Sequence, residues 1–186
     1  MRKLALGLVL ALTGAAHAQV DFNFTDVELG NVVQTMAVMG RFNVLVAPDL
    51  LAQKLTYSRK SVQPEEALKE VTGLAGATLA TADKTATPLY LMTKAALPPG
   101  LAAPESGSGL PTDFNFKLVD LQGVAATIGV LGKFDVGVPA DVQHLKVSAS
   151  LRQIEPRQAL FWVATVAGLK VEESASGGRT LFTLKH

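Results

Sequence analysis

The chain repeats itself. The stretch from Phe22 to Asp49, FNFTDVELGNVVQTMAVMGRFNVLVAPD, returns altered from Phe114 to Asp141 as FNFKLVDLQGVAATIGVLGKFDVGVPAD. Carried on without gaps, the same offset of about 92 positions sets Pro64 against Pro156 and Ala67-Leu68 against Ala159-Leu160. It also sets Ala75-Gly76 against Ala167-Gly168. Roughly 22 of about 72 aligned positions are identical. An echo that holds one register over that span is a duplication, and it fixes the architecture before any element is assigned. Each copy has about 75 residues, near the lower limit for an independent core, and units of that size often lean on a neighbour.

Within the first copy, Asp21 to Phe24 alternates polar and apolar residues and reads as a short strand with both Phe on one face. Asp26 is placed to cap the helix that follows. Leu29, Val32, Val33, Met36 and Met39 or Gly40 fall at helical spacing, and Gly40 stops the helix in the left-handed position. Phe42 to Val46 is a strand broken by Pro48-Asp49, and Leu55 to Ser58 is the next. Pro64, Glu65 and Glu66 open a second helix with Ala67, Leu68, Val71 and Ala75 inward. Thr78–Thr81 and Leu89–Met92 close the copy as a hairpin. The second copy follows the same plan, with Leu121, Val124, Ala125, Ile128 and Leu131 as the helix stripe and a turn at Ser176-Gly177-Gly178. The order in each is β-α-β-β-α-β-β. The expected fold class is α+β: two tandem small domains, 19–93 and 112–186, with helices packed on short sheets.

The segment 94–111, KAALPPGLAAPESGSGLP, has neither periodicity. It reads as a Pro/Gly-rich linker, stiffened at Pro98-Pro99 and flexible around Gly107-Ser108-Gly109, that leaves the domains as beads unless their surfaces dock. Residues 1–18 read as a signal peptide: Arg2 and Lys3, the apolar run Leu4–Leu12, then the small-x-small site Ala16-His17-Ala18. Cleavage there implies export from the cytoplasm, and no later stretch is long and apolar enough to be a transmembrane segment. The chain carries 17 basic and 16 acidic side chains; losing Arg2 and Lys3 turns the balance to about −1, which gives no electrostatic footprint for nucleic acid. There is no Cys, which excludes thiol chemistry and Cys-ligated metal.

FNFTDVELGNVV, GRFNVLVAPDL, VQPEEALKEV and the GL that follows resemble the short N-terminal domain of secretins and TonB-dependent receptors. Phe24, Asp26, Leu29, Gly40, Asn43, Val44, Pro64, Ala67, Leu68 and Gly76 match that pattern in the first copy. Phe116, Leu121, Gly132, Val136, Pro156, Ala159, Leu160, Gly168 and Leu169 match it in the second, which departs at Leu118 and Asp135. The resemblance implies periplasmic domains that bind assembly components, pilus parts or secreted substrates around an outer-membrane pore. In the receptor class it implies a domain that signals to a regulator.

Candidate chemistry is sparse. Asp26, Asp49, Glu65 and Glu66 read as a cap, a turn former and helix-dipole partners. His144 is isolated in a polar loop, and no Ser sits in a G-x-S-x-G elbow. Gly73-Leu74-Ala75-Gly76 has the G-x-x-G form of KH modules, but it lies between a helix and a strand and lacks a Lys/Arg cluster. The stronger clue is Phe161-Trp162, whose counterparts in the first copy are Lys69-Glu70. If both helices keep one orientation, Trp162 is offered to solvent or a partner; the competing reading is internal packing. The sequence therefore points to a non-enzymatic periplasmic interaction or assembly module without catalytic, metal or cofactor residues. Its expected setting is a secretin-linked machine for type IV pili, type II secretion or DNA uptake. Its expected partners are secretin, pilus or secretion components or further copies of itself, with Phe161 and Trp162 as the candidate interface. The alternatives are a periplasmic sensor binding a regulator or small ligand between the domains, and a cell-wall carbohydrate-binding module.

Overall fold

Both copies lay down the expected element order. The computed structural model describes residues 19–82, 87–97, 101, 104 and 109–186, so the leader segment and half of the linker, Pro98-Pro99 and Gly107-Ser108 included, lie outside the described residues. The first copy consists of β1 (Val20–Glu28), α1 (Leu29–Gly40), β2 (Asn43–Val46), a 3-10 turn (Pro48–Leu50), β3 (Lys54–Val62), α2 (Pro64–Leu74), β4 (Thr78–Ala82) and β5 (Leu89–Thr93). The second consists of β6 (Thr112–Asp120), α3 (Leu121–Gly132), β7 (Asp135–Gly137), β8 (Lys146–Ile154), α4 (Pro156–Val166), β9 (Lys170–Ser176) and β10 (Arg179–Lys185).

The duplication is written into the backbone. Asp26, Arg41, Ser61 and Gly76 have φ of 55°, 54°, 51° and 62°, and their counterparts Leu118, Lys133, Gln153 and Gly168 have 52°, 58°, 53° and 75°. Two of these pairs are β-bulges, at the register slips of β1 against β3 and of β6 against β8. Each bulge frees a backbone N–H, and a side chain takes it up. Ser61 and Gln153 donate to the carboxylates of Asp21 and Asp113 at 2.7 and 2.9 Å. Asp26 and Leu118 donate to the hydroxyls of Thr56 and Ser148 at 3.1 and 3.0 Å.

This corrects the cap reading of Asp26. It sits inside β1, α1 starts only after Glu28 with no side-chain cap, and the Asp26 carboxylate pairs with Lys54 at 2.8 Å. The backbone role survives the change to Leu118; the carboxylate does not, and Lys146 pairs with Asp120 instead. Gly40 and Gly132 also act differently from expectation. The left-handed residues are the next ones, Arg41 and Lys133. Glycine is needed because a Cβ on Gly40 would lie 2.4 Å from the Phe42 ring, and one on Gly132 would lie 2.1 Å from that of Phe134.

Each copy splits its strands between a two-stranded and a three-stranded sheet with its helices between them. β1 and β3 form one pair; β7, β10 and β9 form a three-stranded sheet at the other end. The remaining strands join across the copies. β2 pairs antiparallel with β8, giving a continuous five-stranded sheet in the order β4-β5-β2-β8-β6. The molecule is thus a stack: β1-β3, then α1 and α2, then the shared sheet, then α3 and α4, then β7-β10-β9. The domains are docked rather than separate beads, and Leu97 and Leu101 of the linker pack on the core.

The shared sheet is covered on both faces, which is why every residue of β2 and β5 is buried and neither strand shows alternation. Leu29, Val32, Val33 and Met36 are buried on α1, as are Leu121, Val124, Ala125 and Ile128 on α3. Met39 and Leu131 are not part of those stripes; they are 54% and 48% exposed.

Candidate functional site

The chemistry of this molecule is concentrated at strand edges, and the filled edge shows how they work. Opposite residues in the junction are Val44 and Ser150, Leu45 and Ala149, and Val46 and Ser148. Asn43 and Ala47 donate their backbone N–H groups towards the β5 side, to Pro88 and Met92. By alternation Val44 and Val46 donate towards β8. Asn43 extends the ladder by one step with its side chain. Its Nδ2 donates to the Arg152 carbonyl at 3.2 Å, and the Arg152 N–H donates to its Oδ1 at 2.6 Å. Asn43 is fully buried, so both bonds are made away from water.

From α1, Gln34 Nε2 reaches across to the Phe116 carbonyl at 2.7 Å and to Asn115 Oδ1 at 3.2 Å. The small side chains of Ser148, Ala149 and Ser150 let helices approach the junction from both faces. On the α1 side, a Cβ on Gly30 would sit 3.1 Å from Leu51 and 3.6 Å from Ser148 Oγ. On the other side α4 lies against β2, β5 and β8.

Trp162 belongs to that packing. It is fully buried, so of its two readings internal packing holds and exposure to solvent does not, while Phe161 is half-buried and meets it edge-on at 5.0 Å. The exposed reading assumed the surroundings of Glu70, whose helix overhangs a sheet of only two strands. Under α4 the sheet continues into β2 and β5 of the first copy, so the same helix position is covered. The Trp162 indole N–H has no hydrogen-bond partner among the described residues.

The counterpart of this junction in the first copy is the outer edge of β3, and there the chemistry reverses. The positions of Ala149, Leu151 and Trp162 are held by Tyr57, Arg59 and Glu70. Glu70 accepts from the Tyr57 hydroxyl at 2.9 Å and from Arg59 at 2.6 and 3.0 Å. The Arg59 guanidinium, and then the Tyr57 hydroxyl, hold the Glu70 carboxyl below its usual range. Burial, followed by the bond to Glu70, pushes the Tyr57 phenol up to about 12. Among the described residues no strand lies beyond β3.

The counterpart of the β2 edge is β7, beside which α3 lines a groove of about 430 Å³ with Ala125, Ala126, Gly129, Val130 and Val136; Lys133, Asp135 and Arg179 stand at it too. A second groove of about 500 Å³ runs past Gly109, Leu110, Phe134, Pro156 and Phe182. Both are lined by the second copy, the larger also by Gly109 and Leu110 of the linker, and neither by the first copy.

The remaining sequence candidates are dispersed. Asp49 faces Lys94 at 3.5 Å, Glu66 and His144 are exposed, and Glu65 stands near Tyr90, whose phenol is raised by burial and then by that carboxylate. His186 meets Asp141 at 2.7 Å and holds that carboxyl below its usual range. Gly73 and Leu74 end α2, with Gly76 in the turn to β4, so the G-x-x-G lies between helix and strand as read. Among the described residues no group of His, Asp and Glu is arranged to hold a metal ion, and no helix is long and apolar enough to cross a membrane. The residues that sequence reasoning missed are Asn43 and Gln34. Their signal was divergence between the copies, since Asp135 and Ala126 stand at the matching positions. No family model matches the chain, and no curated protein matches it.

Proposed function

We propose that this chain is an exported, non-enzymatic assembly module that works in the periplasm by joining protein partners of a secretin-type outer-membrane machine. The observation that carries this reading is the junction itself: units of this fold are joined here by strand-edge pairing, sealed by a side-chain clamp and helices on both faces. A domain that pairs edge to edge within a chain has the means to pair between chains. The resemblance of the Phe24–Gly76 and Phe116–Leu169 motifs to secretin and TonB-receptor N-domains supplies the setting, and the leader-like segment before Gln19 supplies the compartment. The polar contacts point the same way, since they serve bulges, strand clamps and surface ion pairs.

The test is affinity capture with the tagged full chain from an envelope extract, with fractionation to locate the protein. Recovery of secretin, pilus or secretion subunits from the periplasmic or outer-membrane fraction is expected. Recovery of a regulator alone would replace this reading by the sensor one, and a cytoplasmic location would sink both.

A further inference from the structure

The occupied junction has an unfilled counterpart on the same chain. Shifted by the repeat offset, Val33, Ala37 and Val38 of α1, the helix that packs on β8, and Asn43 and Val44 of β2 become Ala125, Gly129, Val130, Asp135 and Val136. These five line the groove of about 430 Å³ beside β7. Val44 directs its N–H to β8; by the same alternation Val136 directs its own away from β10 to the sheet edge, beyond which no strand lies among the described residues. Val130 is 79% exposed there. Asp135, whose Oδ1 lies 3.5 Å from the Arg179 guanidinium, keeps half of the Asn43 clamp, because its carboxylate has a further oxygen to accept from a strand N–H but does not donate to its carbonyl.

The obvious occupant, β3 of a second copy, is a poor fit. Its edge carries Tyr57, Arg59 and Glu70 where the docked edge carries Ala149, Leu151 and Trp162. The receiving face has diverged as well. Phe182 and Leu184 are buried, so alternation turns Thr183 and its neighbour Gly137 to the outer face. Their counterparts, Leu91 and Leu45, are buried in the shared sheet against which α4 packs. A partner at β7 therefore has no apolar floor for a helix like α4. What remains is the edge and the α3 wall.

We propose that the α3–β7 edge is a docking site for a single extended strand of another polypeptide. The strand adds antiparallel to β7, presents small side chains such as Gly, Ala, Ser or Thr to α3, and offers a backbone N–H rather than a proline opposite Asp135. The inference rests on the reading of the chain as an interaction module and names the surface through which it acts.

The probe is a synthetic peptide of residues 145–156, LKVSASLRQIEP, titrated into isotope-labelled full-length protein. Saturable amide shifts at Val130, Val136 and Gly137 are expected. Val130→Arg, at an exposed position, and Val136→Pro, at an edge that tolerates proline, are each expected to weaken binding about tenfold or more. A peptide with proline in place of Arg152 is expected to lose binding as well. Three results would overturn the proposal: no shifts at millimolar peptide; shifts at Val44 and Val46, which would mean invasion of the internal junction; or concentration-dependent broadening of Val136 together with Thr56 and Ser58 in protein alone, which would make a second copy the occupant. Envelope capture separates the two levels. Partners recovered equally by wild type and Val130→Arg would reject this groove and leave the assembly reading standing, whereas no partner recovered by wild type would reject the assembly reading itself.

Discussion

The edge of β8 and the edge of β3 are the same strand in two copies of one fold, and they have opposite fates. β8 lies inside a five-stranded sheet, with Ala149, Leu151 and Trp162 buried around it. β3 ends a two-stranded sheet, with Tyr57, Arg59 and Glu70 joined in a polar cluster on its rim. The scaffold around both is conserved within the chain down to the bulges and their side-chain acceptors. The comparison teaches that docking is decided by a handful of side chains laid on a common backbone. A free strand edge pairs with whatever fits it unless it is made polar or charged, and the first copy carries that protection.

Substitutions at matched positions break or sharpen this comparison. The largest difference is expected between Trp162→Ala and Glu70→Ala. Removing the enclosed indole leaves a cavity at the shared sheet and is expected to destabilise by about 3–5 kcal/mol in urea unfolding. Glu70→Ala, at a partly exposed rim, gives up the bonds from Tyr57 and Arg59 but leaves no enclosed cavity, and is expected to shift the midpoint far less. Equal losses would mean that Trp162 is not in the junction. Asn43→Ala leaves the Arg152 N–H and carbonyl without their partner inside the sheet, for a loss of about 1–3 kcal/mol. The matched Asp135→Ala, at an open edge, is expected to cost far less.

Gly40→Ala and Gly132→Ala are where the copies should agree. Both push a Cβ into the ring two residues on, and each is expected to destabilise by about 1–3 kcal/mol. A loss confined to one copy would show that its ring swings away.

The smallest effect is a pH dependence belonging to the β3 rim alone. The Tyr57 phenol is raised from 10.0 to about 12, so folding favours its neutral form. That contribution is fully present below the unfolded value and is lost as pH rises through the folded one, so stability should decline between about pH 10 and 12. Tyr57→Phe is expected to flatten that slope in thermal melts; an unchanged slope would remove Tyr57 as its source. Glu70 has the opposite sign. Its carboxyl is depressed, so its contribution is present above the ordinary carboxylate range and is lost as pH falls through the folded value.

Most of each copy was legible because it is local. The offset, the helix stripes of Leu29–Met36 and Leu121–Ile128, Pro64 and Pro156 at helix starts and the closing hairpins all leave short-range signals. The bulges were not legible. An Asp shortly before a helix looks like a cap, and the αL turn at Asp26 is set by pairing with a strand thirty residues away. The shared sheet was hidden for the same reason, since β2 meets β8 across more than a hundred positions. The two readings of Trp162 could not be separated from sequence because its helix position was judged from Glu70, and the identity of the residue depends on what lies beneath. The useful signal was present all the same. The copies diverge at Lys69-Glu70 against Phe161-Trp162 because one helix overhangs an open edge and the other covers a closed one.

The central claim is that the two copies share one sheet through β2 and β8, and amide hydrogen exchange at single residues tests it most directly. Val44 and Val46 donate towards β8, while Val136, the counterpart of Val44, faces an open edge. The structure predicts that Val44 and Val46 exchange only when the junction opens, at least about a hundredfold more slowly than Val136. Exchange of Val44 and Val46 as fast as that of Val136 would contradict it and return the molecule to two beads on a linker.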